Sequence, residues 1–565
     1  MKDKINALAA SNALEHGGKA EFNSVVSKFI AHFPNEKKRL KELIPVIRES
    51  VEFVNSLGSE EQANLVRREY PELLEKKKRE EETKRLPDLP DIPANGVVMR
   101  MAPSPSGPLH IGHARMAILN DEYVKRYGGK LILRIEDTNP ANIDPDAYEM
   151  ISSDLEWLEV SVTDRIIQSD RFDLYYKVME KLLGLGKAYV ATTASEEFKT
   201  KRQEGIPIKE RDDPPEINLE RWERMKLGDF EKGKVYAVIK TDLDHPNPAI
   251  RDFIAFRIVD IPHPLTGTKY HAYPMMNFSV AVDDHYLGLT HIIRGKDHTA
   301  NTEKQKYIFD YLKWGIPYYL HYGKVSIEGS VLKTSLIKKG IRSGEFSGWD
   351  DPRLGTLLSF KKRGFDPKAI RKYYVESGIG NVDTTFSWDI FYAFNRQIID
   401  SRSPRHFFVN SPVKLKFDYS GTLLARMPLY PSHSHEGDGL FREYQVSGGE
   451  IAIARDDYER NMGGEVRLKG LGNFTIAENS ISFRGDPLKD SEGTSETKPR
   501  ADRSIPIIHW LKDNYVEYRI YRQDGTVDTG YLERDSLNYK GMVHQLERYG
   551  YVNILNEKEG FFTHP

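Results

Sequence analysis

Apolar positions recur every three or four residues in "VVSKFIAHF" and "LKELIPVIRESVEFVNSL", which predicts amphipathic helices across roughly residues 24–57. The helical period continues to about residue 85 through the mixed-charge run "PELLEKKKREEETKRL", which reads as a solvated helix face. At 87–96 the prolines of "PDLPDIPANG" interrupt it and mark a boundary after a helical appendage. From Val97 the pattern changes to a short apolar strand, "VVMRMA", a loop, a helix from about His113 to Tyr127, and a second strand, "KLILRIE", after Gly128 and Gly129. Strand, loop, helix, strand is the rhythm of a βαβ unit and a parallel sheet. Ligands of such sheets bind outside the carboxyl ends of the strands. Both "APSPSGPLHIGH" and "EDTNP" fall there, so the two loops should face one another across one site.

Beyond Lys201 the chain is polar and dotted with prolines, and the short strands "KVYAVIKT" and "DFIAFRIVD" read as an insertion in the sheet. "HYLGLTHIIRGKDH" returns to strand and loop, "TANTEKQKYIFDYLKW" is a helix that completes the nucleotide-binding half, and helical signals run on through "DPKAIRKYYVESGI". After about Arg402 short alternating strands take over, among them "VKLKFDY", "EVRLKGL" and "VEYRIYR", separated by Gly, Asp and Asn turns. An all-β region, built as barrels, is expected there.

Composition narrows the chemistry. At 565 residues the chain exceeds a single core and should form several packed units. Lys plus Arg number 82 against 84 Asp plus Glu, so a polyanion would have to meet a local basic face. Cysteine is absent, which removes disulfides, thiol nucleophiles and thiolate metal sites. No run of about 18 apolar residues occurs, and the expected setting is cytoplasmic, with no membrane partner.

The densest signal is "APSPSGPLHIGH". His110, Gly112 and His113 open a helix directly after a Pro/Gly loop, and a helix N-terminus offers free N–H donors and the positive end of the dipole. Two imidazoles three residues apart lie on one side of the first turn, placed to hydrogen-bond phosphate and to stabilise charge during attack at phosphorus. A capped helix with two surface histidines is the bland alternative. A zinc site would need further ligands at suitable spacing.

"RMAPSPSGPLHIGHARMAILNDEYVKRYGGKLILRIEDTNP" resembles the active-site signature of class I aminoacyl-tRNA synthetases, in particular the glutamyl-tRNA synthetases, with His110 to His113 matching the HIGH motif. The resemblance extends through "SDRFDLYYKVMEKLLGLGKAYV", "AVDDHYLGLTHIIRGKDH", "GWDDPRLGTL" and "MVHQLERYGYVNI", nearly all of the chain from Val97 onward. It implies a Rossmann-type catalytic core, L-glutamate, ATP brought in with Mg²⁺, and tRNA as substrates. The carboxylate would attack the α-phosphate, and the glutamyl group would then pass to the tRNA's terminal ribose. By the same resemblance Arg100 and Arg294 clamp the side-chain carboxylate, Glu136 holds the α-ammonium, and Ala102 and Ser104 line the same wall.

Two departures are notable. Met276 stands where the family offers a tyrosine hydroxyl, and the second signature falls on "VLKTS", with Thr334 at the expected lysine. Lys333, or Lys338 and Lys339 after a local shift, are the candidates to face the phosphates; an ordinary basic loop is the alternative. Asp283, Asp284 and His285 suggest a metal, but a structural turn suits them better, and no resident metal is expected.

The implied architecture is α/β and multidomain: a helical appendage (1–95), two halves of a Rossmann-type core (96–195 and 276–335), an acceptor-binding insertion (196–275), a helical linker domain (336–402) and β-barrels (403–565) that resemble the anticodon-binding region of archaeal and eukaryotic members. Archaeal-type members often also glutamylate tRNA(Gln). The appendage is a candidate surface for a protein partner. The alternatives are a glutaminyl-tRNA synthetase, disfavoured by Arg294, and a non-catalytic tRNA-binding scaffold, whose support is the degenerate "VLKTS".

Overall fold

The structure is a computed structural model that describes the 565-residue chain except for residues 16–17, 34–35, 37–38, 71–85, 432–439 and 486–504. The charged run from Pro71 therefore lies outside the described residues, apart from Leu86 at its end. Two compact units result, Met1–Arg85 and Leu86–Pro565.

The first unit contains α1 (Lys2–Glu15), α2 (Phe22–His32), α3 (Leu40–Asn55) and α4 (Ser59–Glu69). The sequence pattern singles out α2 and α3 and misses α1, for a physical reason. Residues 5–13 of α1 are all buried, with Ala7, Ala9, Ala10 and Ala13 letting neighbouring helices close in on every side. A helix covered all round has no polar face to create a period. Its core partners are Val25, Phe29, Ile47, Val51, Val54 and Val66.

The second unit begins with the proline-rich segment, which the sequence pattern places in the appendage. Leu86 and Leu89 instead join the core of this unit, and Tyr123 Oη donates to the Pro87 carbonyl at 2.9 Å. The two compact units divide at Arg85 and Leu86, so the proline-rich segment packs with the second.

β1 (Val97–Met101), α5 (Ile111–Tyr127), β2 (Gly129–Ile135), α6 (Ala147–Trp157) and β3 (Asp164–Ile167) follow, with β1 pairing β2 and β2 pairing β3, both in parallel. The helix starts two residues before the sequence expectation. Leu131 to Ile135 of β2 are all buried, as expected of a parallel strand covered on both faces.

Next come α7 (Phe172–Gly184), β4 (Ala188–Ala191), α8 (Ser195–Glu204), α9 (Pro215–Leu227), β5 (Tyr236–Ile239), β6 (Phe253–Ile258) and β7 (Ala272–Pro274). Strands β4 to β7 form their own antiparallel sheet, so the insertion is a separate layer beginning with β4. α10 (Met276–Tyr286), β8 (His291–Gly295), α11 (Thr299–Leu312) and β9 (Tyr318–Tyr322) return to the first fold. β8 and β9 pair in parallel, and Thr290 joins them to β1 through N–H to Val98 O (2.9 Å) and Val98 N–H to Thr290 Oγ1 (2.9 Å). The order β3-β2-β1-β8-β9 reverses direction between β1 and β8, the switch point where doubly wound sheets bind ligands.

β10 (Val325–Ser326) and α12 (Thr334–Ser343) lead to α13 (Leu357–Lys362), α14 (Pro367–Ser377), β11 (Thr384–Thr385) and α15 (Trp388–Ile399). Leu357, Phe360, Ile370, Tyr374 and Phe391 of these helices share one core with β1 and α5. Tyr374 Oη also donates to Ile111 O at 2.7 Å, bracing the start of α5.

The rest is strand-rich. Among the described residues one sheet has seven strands and another six, with separate cores around Tyr518, Ile520 and Val552 and around Leu415, Ile451 and Phe474. The turn that carries Gln523 reaches the loop between β10 and α12, its Nε2 donating to Gly329 O (3.2 Å) and Ser330 Oγ (3.0 Å).

Gly129 has φ +115°, and a Cβ there would lie 1.9 Å from Val97 O. Gly129→Ala should therefore destabilise the chain by at least about 2 kcal/mol, read as a lower denaturant midpoint.

Candidate active site

A cleft of about 850 Å³ opens at the carboxyl ends of β1, β2, β8 and β9. Nine of the residues singled out from sequence line it: Arg100, Ala102, Ser104, His110, Gly112, His113, Glu136, Arg294 and Lys333. The two loops after β1 and β2 meet, with Glu136 N–H donating to Pro103 O at 2.9 Å and Asp144 N–H to Pro105 O at 2.8 Å.

His110 is the N-cap of α5. Its Nδ1 accepts the N–H groups of Gly112 (3.1 Å) and His113 (3.3 Å), while His113 Nδ1 accepts His110 N–H (3.3 Å). The rings stack at 3.7 Å. An Nδ1 that accepts must be unprotonated, so each neutral ring carries its proton on Nε2. Burial pushes the His110 pKa down to about 4, and His113, buried beside it, lies well below the usual range. The helix thus starts with two uncharged N–H donors. A Cβ at Gly112 would stand 3.0 Å from His110 Cε1, crowding the cap.

Three arginines lie under the cleft floor. Arg134 of β2 is fully buried and donates to Asp284 (2.6 Å) and Glu136 (2.9 Å). Burial works against its charge, but Asp284, Glu136 and Asp283 outweigh it and hold the guanidinium protonated. Among the described residues Arg100 reaches only Ile293 O, at 3.5 Å. Arg294 donates to Gln305 Oε1 (3.0 Å) and to Thr302 Oγ1, and lies over the Tyr319 ring at 4.6 Å. Neither Arg100 nor Arg294 forms an ion pair among the described residues, and the Nε of each is buried without a hydrogen-bond partner. Burial and the nearby Arg100 lower the Arg294 pKa to about 10. Two buried, unneutralised guanidiniums have the chemistry to take up an anion.

Sequence reasoning missed Arg134. It lies two residues before Glu136, hence on the same strand face, and a charge inside "LILRI" was the available signal. Asp283 and Asp284 are not a turn: they sit fully buried in α10, where Asp283 takes Arg171 (2.7 Å) and Tyr175 (2.7 Å). Among the described residues no cluster of three or more His, Asp or Glu is disposed to hold a metal ion. Asp137 accepts from Ser169 N–H (2.8 Å) and Tyr148 Oη (2.8 Å), supporting the loop from below.

Of the lysines after β10, Lys333 lines the cleft as the exposed N-cap of α12. Lys338 is paired with Asp144 at 3.3 Å outside it. Met276, the first residue of α10, brings a thioether to the cleft wall in place of a hydroxyl. Lys324, absent from the sequence reading, lines the cleft too.

The family model for the catalytic domain of class I tRNA synthetases (E and Q) matches residues 96–401, and that for their anti-codon binding domain matches residues 403–489. The chain belongs to this family. Curated relatives named glutamate–tRNA ligase include one from Thermoplasma volcanium, 49% identical over all of both chains. One from Thermoplasma acidophilum is 50% identical over 90% of this chain and 92% of its own. One from Methanocaldococcus jannaschii is 42% identical over 99% of each. No helix among the described residues is long and apolar enough to cross a membrane.

Removing one partner of the buried network leaves an uncompensated charge, so Asp284→Ala should lower stability by about 3–5 kcal/mol, read by urea unfolding. With both histidines neutral, the His110 ring signals should stay unchanged between pH 8 and 5.5 in an NMR titration of the ligand-free protein, whereas an exposed histidine titrates near 6.5.

Proposed function

We propose that this protein ligates L-glutamate to tRNA(Glu) through a glutamyl-adenylate, releasing AMP and pyrophosphate. The observation that carries the reading is the charge balance of the cleft floor. Three guanidiniums, Arg100, Arg134 and Arg294, stand against the carboxylates of Asp284 and Glu136, with Asp283 offset by Arg171, which leaves an excess of one positive charge. Glutamate carries two carboxylates and one ammonium, a net charge of −1, and restores neutrality. Glutamine, with no net charge, leaves a buried guanidinium unpaired, which costs about 1–3 kcal/mol or more.

In this reading Arg100 and Arg294 take the side-chain carboxylate and Glu136, held by Arg134, takes the α-ammonium. The α-carboxylate is then the free anionic end and attacks the α-phosphate of ATP, whose Mg²⁺ arrives with it as substrate. His110 and His113 donate from Nε2 to the phosphates, and Lys333 adds a cation from the facing loop. The nucleophile is already ionised at neutral pH, so no side chain need remove a proton. Rate enhancement comes from positioning and from donors fixed in place before the reaction. The strand-rich region and the β4–β7 insertion would hold the tRNA, with phosphate contacts orienting it and unpaired bases giving specificity.

The test is ATP-dependent charging of tRNA(Glu) and tRNA(Gln) transcripts with glutamate and glutamine offered separately. Glutamate on tRNA(Glu) with no glutamine transfer is the expected outcome, and glutamate on tRNA(Gln) as well would extend the tRNA substrates to two. Glutamine transfer would overturn the charge argument, and no charging would turn the reading toward a tRNA-binding scaffold. Arg294→Ala should raise the glutamate KM more than tenfold while leaving the ATP KM within about twofold, on the scale of a lost charged hydrogen bond of about 1.5–3 kcal/mol.

A further inference from the structure

The segment from Phe346 to Leu357 touches both loops that face the nucleotide in the reading above. Leu357 N–H donates to Leu109 O (2.9 Å) and Gly355 O accepts from Ile111 N–H (3.0 Å), so two backbone bonds bracket His110. The same Gly355 donates its N–H to Val331 O (3.0 Å), two residues before Lys333. One residue therefore ties the start of α5 to the loop that carries Lys333.

Side chains repeat the connection. The Trp349 ring lies against Gly107 of the Pro/Gly loop, where a Cβ would stand 2.8 Å from Cη2. Ile337, Phe346 and Leu354 form a small core of their own, joined by Val331, Ile341 and Trp349. The segment is also stiff. Buried Asp351 accepts from Arg353 Nε and Nη2 (2.8 Å each) and from Ser347 N–H (3.0 Å), and Thr356 Oγ1 donates to Trp349 O (2.5 Å). Burial opposes charge on Asp351, but Arg353 and these N–H groups hold its pKa at about 2.

We propose that this segment is a rigid spacer that sets the distance between the His110–His113 pair and Lys333, with Gly355 as its positioning residue. Gly355 acts through its two neighbours and touches no substrate. A Cβ at this position would lie 2.3 Å from Leu332 Cδ2 and 3.6 Å from Ser330 Cβ, both residues of the cleft wall. A side chain here displaces Leu332, the immediate neighbour of Lys333, while Arg100, Glu136 and Arg294 keep their places. A displacement of about 1 Å in a pre-positioned site is enough to lower a rate by about a hundredfold. The inference rests on the ligase reading for what fills the cleft.

The experiment compares the full-length chain with Gly355→Ala, Leu332→Ala and the double variant. ATP binding is titrated by calorimetry, and the KM values for ATP and glutamate are taken from tRNA charging. Gly355→Ala should weaken ATP binding and raise the ATP KM at least tenfold, with the glutamate KM within twofold. The double variant should return to within threefold of Leu332→Ala, because the atom that meets the new methyl is gone; this comparison decides the matter alone where Gly355→Ala does not fold. An ATP KM within twofold of wild type, a parallel rise in both KM values, or no recovery in the double variant overturns the spacer. Wild-type protein that binds ATP and charges no glutamate overturns the ligase reading alone, since the titration still reads the spacer.

Discussion

The buried Arg134 is the interaction on which the catalytic half depends. It joins the end of β2 to α10 through Asp284, and α10 in turn holds Arg171 and Tyr175 through Asp283. Taking these charges out of water costs several kcal/mol per ion, and their attraction offsets this only where geometry and hydrogen bonding are good. The network is therefore weak evidence for stability and better evidence for specificity of position. It places Glu136 in the cleft with one oxygen already committed to a guanidinium, so the carboxylate cannot swing away.

The same economy governs the rest of the site. Arg100 and Arg294 are desolvated without an ion-pair partner, and His110 and His113 are kept neutral by burial while their capping bonds select the Nε2 proton. The arginines are held out of water and the histidines in a single tautomer, and the scaffold supplies the difference: the parallel sheet below and helices α13 to α15 around α5. In the proposed reading, binding an anionic substrate relieves part of that cost, which links recognition to electrostatics more than to shape.

Much of this was written in the chain. A helix N-terminus after a Pro/Gly loop, two histidines at a three-residue spacing and strand-ending Arg and Glu all depend on local order, and nine of the residues so singled out line one cleft. What escaped depends on distant partners. Asp283 and Asp284 look like a turn until a guanidinium 150 residues away is placed against Asp284. α1 carries no helical period because it is covered on every side, with Asn6, Ser11 and Asn12 buried alongside its alanines. The proline-rich segment reads as a linker, yet Leu86 and Leu89 are core residues whose burial no local pattern announces.

The loop after β10 shows how the two levels interact. Its sequence departs from the expected signature, and by residue type alone Lys333, Lys338 and Lys339 are equivalent. Fold context separates them: Lys338 is neutralised by Asp144, while Lys333 caps α12 at the cleft with no ion pair among the described residues. A lysine shifted by one position can keep an electrostatic role only if the loop beneath it is held at a fixed depth. The hydrogen bonds of Gly355 to Val331 and Ile111 supply that depth. Motif spelling is thus a looser constraint than loop placement, because an ammonium on a flexible stem acts as a point charge, whereas the backbone that carries it has to be set to within about half an ångström.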